Sequence, residues 1–167
     1  AKKLGSAAAP TAGLHFTDEL IENISLKGIE IATVELTIGI DTFQPITVSD
    51  STDHVMHSES YNVPDATWNA CQSAKRVVAV GTTTVRSLES AARGNLSGRT
   101  DLFLRRGEKF EIVDCIFTNF HLPKSSLLLM IDSFVGERWR HLYSEALAKG
   151  YRFLSYGDAM FLQKAVD

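Results

Sequence analysis

Short apolar segments, each followed at once by a helix signal, constrain the fold of this chain more than any other feature. Residues 76–80 (R-V-V-A-V) are typical of a buried strand, and G-T-T-T at 81–84 leads into a helix. The same order recurs at 118–126, where T-N-F-H-L-P-K-S-S follows a strand and precedes a helix. Strands that alternate with helices in this way predict an α/β fold.

Periodicity predicts the remaining elements. Helices are expected over residues 17–28, 64–74, 82–94, 125–135 and 137–149. Strict alternation over 30–38 predicts a half-buried strand whose even-numbered residues, from Ala32 onward, face the core. Residues 101–104 and 109–117 are expected to pair as a hairpin that is closed by the turn R-R-G-E.

Composition narrows the class of protein. A chain of 167 residues with 44% hydrophobic and 22% charged residues predicts one globular domain rather than a disordered or fibrous chain. A net charge of −3 argues against a protein that binds nucleic acid over its whole surface, although a local basic patch would not show in the total. Two cysteines are too few for a disulfide scaffold, and no apolar run could span a membrane, so we expect a cytoplasmic protein with no membrane contact.

Two polar segments of the first 60 residues are candidate ligand sites. A-P-T-A-G-L-H-F at 9–16 places small residues and His15 just before a helix, where free amides attract anions, so Thr11 and Gly13 are candidate ligand contacts. The alternative is a tight loop with a packed histidine. The H-x-x-H that ends at His57 suggests zinc, but no cysteine joins it, and we predict no metal site. A base or hydrogen-bonding pair of His57 with Glu59 is the preferred interpretation, with a solvated loop as the alternative.

Further polar residues follow the predicted strands. The hydroxyls of Thr82 and Thr83 could bind an anion at a helix start, although the spacing is not that of a P-loop. Arg86 and Glu89 are three residues apart and could be a simple pair on the helix surface.

The later polar residues supply different chemistry. An amide, an imidazole and an ammonium are expected at one sheet edge, from Asn119, His121 and Lys124. Y-R-F-L-S-Y-G-D at 151–158 supplies aromatic rings such as Tyr156 for base stacking and one acid, Asp158. The alternative for this last segment is a C-terminal strand packed into the core.

Taken together, these strings resemble the S-adenosylmethionine:tRNA ribosyltransferase-isomerase family of queuosine biosynthesis. The matching strings are A-P-T-A-G-L-H-F, T-F-Q-P, M-H-S-E, G-T-T-T-V-R-S-L-E-S, T-N-F-H-L-P-K-S-S and Y-R-F-L-S-Y-G-D-A-M. They run in the family's order over nearly the whole chain but match only the C-terminal half of the family's length. The resemblance implies that residues 1–167 are the C-terminal part of an α/β catalytic domain. Its core would be a mixed sheet or barrel-like, with surrounding helices, and incomplete because the N-terminal half and much of a smaller β domain lie outside this chain.

The resemblance also implies a reaction. The family transfers and isomerises the ribosyl group of S-adenosylmethionine onto 7-aminomethyl-7-deazaguanine at the wobble position of tRNA. The product is epoxyqueuosine, and adenine and methionine are released. S-adenosylmethionine is then a co-substrate, and no prosthetic group is expected. The implied partners are tRNAs with a GUN-type anticodon and the N-terminal half of the same protein.

Roles for the candidate residues follow from this resemblance. The base would be His15 or His57, oriented by Glu59, and His121 or Asp158 would assist adenine departure. The methionine carboxylate or a tRNA phosphate would be held by Arg86, Asn119 and Lys124. Further phosphate contacts could come from Lys75, Arg76, Arg93, Arg99, Arg105, Arg106 and Lys109.

Two positions depart from the family pattern. Thr37 stands where a histidine is usual and Asp41 where a glycine is usual, which changes the local charge beside a binding edge. A related transferase with another acceptor is therefore one alternative. The other alternative is a fragment that binds S-adenosylmethionine or tRNA without turnover.

Overall fold

A computed structural model describes residues 6–39 and 56–165 of the chain. Its helices are a 3₁₀ helix at Thr11–His15, α1 at Asp18–Leu26, α2 at Asp65–Ser73, α3 at Thr82–Ala92, α4 at Ser126–Val135 and α5 at Arg138–Ala148. Its strands are β1 at Glu35–Thr37, β2 at Glu59–Asn62, β3 at Val78–Val80, β4 at Ser97–Thr100, β5 at Cys115–Asn119 and β6 at Ala159–Gln163. The predicted α/β class and the predicted helices are confirmed.

The strands form two sheets of different kinds. In the first, β2 lies between β1 and β4, and both pairings are antiparallel. In the second, β5 lies between β3, to which it is parallel, and β6, to which it is antiparallel. The second sheet is therefore mixed, as predicted. Because Asn119 at the end of β5 pairs with Ala159 at the start of β6, the end of β3, the end of β5 and the start of β6 share one edge.

Helix α3 and helix α4 supply most of the core that packs on this second sheet. Val85 of α3 and Ile131 of α4 are fully buried together with Ile116 of β5. Helix α1 is different: the Thr17 hydroxyl accepts a hydrogen bond from the Leu20 N–H at 3.2 Å, yet none of its residues is buried. None of the helices in the described part of the chain is long and apolar enough to cross a membrane.

The predicted hairpin is wrong. Residues 101–104 form no strand, and strand structure in the second arm begins only at Cys115. The cause is the Glu89 carboxylate, which accepts hydrogen bonds from the backbone N–H groups of Glu111, Ile112 and Val113 at 2.9, 3.1 and 3.0 Å. These donors are then not available to a partner strand. Only the turn between the arms is confirmed, by the Glu108 N–H donating to the Arg105 carbonyl at 2.9 Å.

Two other strand predictions change in extent. The strand expected over 30–38 is limited to Glu35–Thr37. The alternation nevertheless survives in burial, because Val34, Leu36 and Ile38 are half-buried while Ala32 is exposed. The C-terminal strand lies at Ala159–Gln163, so residues 151–158 form the loop before it.

Candidate functional site

Four segments of the chain meet at the edge where β3 and β5 end. Gly81 follows β3 directly, and its N–H donates to the Phe117 carbonyl of β5 at 2.8 Å. Gly81 has a φ of 89°, and a Cβ placed on it would lie 3.7 Å from the Ala12 Cβ, so the 3₁₀ helix packs closely here. The His15 and Phe16 rings lie edge-on to the Phe117 ring at 5.8 and 5.1 Å. The segment around 9–16 is thus held on the second sheet.

Asn119 connects three of these segments. Its side-chain nitrogen lies 3.3 Å from His15 Nε2 and 3.4 Å from the backbone oxygen of Asp158. Asn119 is buried at 4% exposure, whereas His15 is exposed. The structure therefore brings His15, Asn119 and Asp158 together, although 104 residues of sequence separate His15 from Asn119.

Asp158 closes the loop that precedes β6. Its carboxylate accepts a hydrogen bond from the Arg152 N–H at 2.7 Å and one from the Arg152 guanidinium at 3.3 Å. These bonds, and to a smaller extent the nearby His15, hold the pKa of the Asp158 carboxyl below its usual range. Gly157 allows this closure, because a Cβ there would overlap the backbone carbonyl of Arg152. Asp158 is therefore ionised at neutral pH.

His121 lies just beyond the same edge. Its Nε2 is 3.1 Å from the Thr118 hydroxyl, and its backbone N–H donates to the Tyr143 hydroxyl at 3.0 Å. Burial lowers the pKa of His121 to about 4, and burial also raises the pKa of Tyr143 to about 12. Both side chains are therefore neutral at pH 7. The His121 ring can donate or accept a hydrogen bond there but carries no extra proton to give.

Arg86 and Glu89 do not form the surface pair that their spacing suggests. Both side chains are buried on α3 and point to different partners. Arg86 forms a buried ion pair with Glu59 and donates from Nε to the Leu102 carbonyl at 3.3 Å, while one of its terminal nitrogens has no hydrogen-bond partner among the residues that the structure describes. Glu89 pairs with Arg93 at 2.6 Å. The packing of α3 on the first sheet therefore decides the partner of Arg86.

The other candidates around this edge differ in exposure. Thr11 and Gly13 of the 3₁₀ helix are half-buried. At the start of α3, Thr82 is buried and Thr83 half-buried. The 3₁₀ helix and the start of α3 both lie next to Gly81, where the two segments pack against each other.

The remaining candidates are more exposed. Lys124 is exposed and has a φ of 57°, and Tyr156 is 85% exposed. His57 is exposed just before β2 of the first sheet, and Glu59 faces Arg86. His54 and Asp41 lie outside the described residues, and Thr37 is exposed on β1. No group of three His, Cys, Asp or Glu side chains that could hold a metal is found within 6–39 and 56–165.

Several of the basic residues considered for phosphate contacts already bind protein groups. Arg93 bonds to Glu89 and to the Lys109 carbonyl. Arg99 donates to the Ser58 hydroxyl at 3.0 Å, and Arg106 pairs with Asp132 at 2.7 Å. These three guanidinium groups therefore stabilise neighbouring loops and strands in this structure.

Sequence reasoning missed three residues that shape this edge: Phe117, Tyr143 and Arg152. Phe117 could have been found, because it precedes Asn119 by two positions on β5 and so shares its face. Tyr143 lies on α5, a helix that the sequence predicts over residues 137–149 without assigning Tyr143 to this edge. Its hydrogen bond to the His121 N–H depends on how α5 packs, which no local pattern reveals.

The chain resembles known proteins along nearly its whole length. The profile of a family described as "Queuosine biosynthesis protein" matches residues 1–162. A protein of Geotalea uraniireducens named S-adenosylmethionine:tRNA ribosyltransferase-isomerase is 49% identical over 172 residues, which cover 97% of this chain and 50% of that protein. A protein of the same name from Francisella philomiragia is 48% identical and is covered to 51% of its length.

A solved structure shows the same fold. The crystal structure of S-adenosylmethionine tRNA ribosyltransferase from Thermotoga maritima matches with a TM-score of 0.74 and 41% sequence identity. The match covers 90% of this chain and 50% of that one. The chain thus spans about half the length of these relatives.

Proposed function

The chain belongs to the family of queuosine biosynthesis proteins, and on that premise we propose that it takes part in the transfer and isomerisation of the ribosyl group of S-adenosylmethionine. The acceptor is 7-aminomethyl-7-deazaguanine at the wobble position of tRNAs with a GUN-type anticodon. The products are epoxyqueuosine in the tRNA, adenine and methionine. The protein works in the cytoplasm together with the N-terminal half of the family's chain.

One observation supports this proposal most directly: polar groups from four distant segments converge at a single sheet edge. There the Asn119 side chain lies within hydrogen-bonding distance of His15 and of the backbone oxygen of Asp158. Ligands of α/β proteins commonly bind where strands end, because backbone and side-chain polar groups meet outside the sheet. A co-substrate with a purine, a ribose and an amino-acid group needs such a varied set of donors and acceptors.

The proposed reaction requires specific roles from these residues. The sulfonium acidifies the adjacent 5′ carbon, so the reaction begins when a base removes a proton there, and His15 and His57 are the candidates. Adenine leaves next. Because Asp158 is ionised, it can stabilise a positively charged group such as the sulfonium, and it has no proton to give to the departing adenine.

The remaining groups hold the co-substrate. The neutral His121 fits a hydrogen bond to the departing base. Lys124 is the candidate contact of the methionine carboxylate or of a tRNA phosphate, because the NH₂ group of Asn119 already faces Asp158 and His15. The 3₁₀ helix residues Thr11 and Gly13, the α3 residues Thr82 and Thr83, and Tyr156 line the same edge in this proposal.

The decisive experiment measures adenine release from S-adenosylmethionine by the full-length protein, with and without tRNA that carries 7-aminomethyl-7-deazaguanine. We expect release that requires the modified tRNA, and we expect His15→Ala to slow it by about tenfold at S-adenosylmethionine concentrations below the KM. His141→Ala is the control, because His141 is exposed on α5 and lies outside the proposed site.

Other outcomes would redirect the proposal. Release that requires a different acceptor would support a related transferase, for which the departures at Thr37 and Asp41 are the sequence argument. Binding of S-adenosylmethionine or tRNA by a folded protein without any release would support the binding-only alternative and contradict the enzymatic one.

A further inference from the structure

The environment of Asn119 determines which end of its amide faces His15. One side-chain atom of Asn119 lies 3.4 Å from the backbone oxygen of Asp158 and 3.3 Å from His15 Nε2. A carbonyl oxygen only accepts hydrogen bonds, so the amide end that faces it must be the NH₂ group. The same NH₂ group therefore faces His15 Nε2, and this nitrogen must accept.

An imidazole nitrogen that accepts a hydrogen bond carries no proton. In a neutral histidine the proton then resides on the other ring nitrogen, Nδ1. His15 is exposed, and no partner of its Nδ1 is found among the described residues. The N–H of Nδ1 is thus available to a ligand at the edge of the second sheet.

From this geometry we infer that Asn119 is a positioning residue that holds His15 in the Nδ1–H tautomer, so that His15 donates a hydrogen bond to the bound co-substrate. The inference rests on the proposed function for the identity of that ligand, S-adenosylmethionine, which offers carboxylate, ribose and purine acceptors. The backbone oxygen of Asp158 keeps the Asn119 amide in the required orientation.

This assignment separates the two candidate bases. Nε2 of His15 is occupied by the Asn119 amide, and Nδ1 already carries a proton. His15 can take up a proton only if the bond to Asn119 breaks. The resting site therefore uses His15 as a donor, and His57 becomes the candidate for proton removal.

The tautomer can be read directly from ¹⁵N chemical shifts of the ring in the full-length protein labelled with ¹⁵N-histidine, since protonated and unprotonated ring nitrogens differ widely. His15→Gln identifies the His15 signals. We expect an unprotonated Nε2 in the wild type. In N119D the new carboxylate only accepts, and in N119A the amide donor is lost. We therefore expect both variants to shift His15 to the Nε2–H form.

Kinetics supply the second test. Loss of the Nδ1 donor in N119D is expected to raise the KM for S-adenosylmethionine about tenfold and to leave kcat within about threefold, because one ordinary hydrogen bond is lost. If His15 were the base, an aspartate behind its ring would support it, and kcat would be maintained or increased with KM unchanged. N69D makes the same chemical change at an exposed position of α2 and should alter neither value.

The two levels of proposal fail in different ways. An Nε2–H signal in the wild type, or no change of tautomer in N119D and N119A, overturns the role of Asn119 even if the enzyme is active. Absence of adenine release by the wild type contradicts the proposed function, while the shifts still decide whether Asn119 positions His15. Far-ultraviolet circular dichroism of each variant shows that it is folded.

Discussion

Two polar clusters of this molecule differ in how fully their hydrogen-bonding groups are satisfied. On α3, the Glu89 carboxylate is fully buried and accepts from three backbone N–H groups and from Arg93. These bonds measure between 2.6 and 3.1 Å. At the sheet edge, Asn119 makes bonds of 3.3 and 3.4 Å, and its partner His15 remains exposed.

The difference shows how burial separates structural from ligand-binding polar groups. A buried carboxylate is tolerated only when its oxygens are bonded, so Glu89 orders the loop of residues 111–113 and has no capacity for a ligand. In the edge cluster the bonds of the buried Asn119 are longer than those of Glu89, and His15 is exposed. His15 can therefore contact a ligand through Nδ1 while its Nε2 faces Asn119.

Removing the Glu89 carboxylate is expected to have the largest effect on stability. Glu89→Ala leaves three backbone N–H groups, of which that of Val113 is buried, without their acceptor and removes the carboxylate partner of Arg93, so we expect a loss of about 3–5 kcal/mol in the free energy of unfolding. Urea denaturation of the full-length protein measures this loss. Adenine release at a temperature where the variant is still folded should keep its wild-type KM for S-adenosylmethionine.

Glu111→Ala is the matched control, because the Glu111 side chain is exposed while only its backbone N–H joins the cluster. We expect it to change the free energy of unfolding by less than about 0.5 kcal/mol. A loss for Glu89→Ala as small as that of the control would mean that the loop does not depend on the carboxylate, and the contrast between the clusters would fail.

Breaking the ion pair of Arg86 with Glu59 is expected to have the next largest effect on stability. It tests whether Arg86 has a structural role only or also binds a ligand. Arg86→Met removes the buried cation that pairs with Glu59 and should cost about 3 kcal/mol. The double change Glu59→Leu with Arg86→Met removes both charges. It should therefore be more stable than the sum of the single effects by about 2 kcal/mol in a double-mutant cycle of urea denaturation.

The same pair of variants sharpens the question of ligand binding. If Arg86 also holds the methionine carboxylate, the double variant regains stability but shows a raised KM for S-adenosylmethionine. Additive single effects, with no recovery in the double variant, would contradict the assignment of Arg86 to a structural ion pair.

Chain order and period were enough to predict much of the fold and the position of the edge. Asn119 and His121 follow an apolar segment that reads as a strand, and the carboxyl ends of adjacent parallel strands meet. The sequence could not reveal that Glu89 takes up the N–H groups of residues 111–113, because that bond depends on where α3 packs. The predicted hairpin was wrong for this reason.

Contacts between distant segments were also beyond the sequence. The pairing of Arg86 with Glu59 joins residues 27 positions apart, and nothing in the local pattern prefers it to the nearer Glu89. The bond of Asn119 to His15 likewise requires that the 3₁₀ helix lie on Phe117. Sequence patterns predict which residues are neighbours on one helix or strand, whereas these partners are brought together by tertiary packing.

The smallest expected effect concerns His121, which lies between the two extremes: it is partly buried yet close to the edge. Its pKa in the folded state is about 4, against 6.5 for an ordinary histidine, because burial disfavours the charged ring. The unfolded chain therefore binds a proton that the folded chain does not as the pH falls from about 6.5 to 4. The contribution of His121 to the free energy of unfolding is therefore fully present above about pH 6.5 and is lost as the pH falls from about 6.5 to 4.

We expect the decline to be about 2 kcal/mol once the partial exposure of the ring is taken into account. Urea midpoints measured between pH 8 and pH 4.5 should show a steeper loss for the wild type than for His121→Gln, whose side chain does not titrate. Thr118→Val removes the hydrogen bond to the ring without removing the imidazole, so it should lower stability at every pH and keep the slope. Equal slopes for the wild type and His121→Gln would mean that folding does not lower the pKa of His121, and His121 would then behave as a solvent-exposed group of the edge.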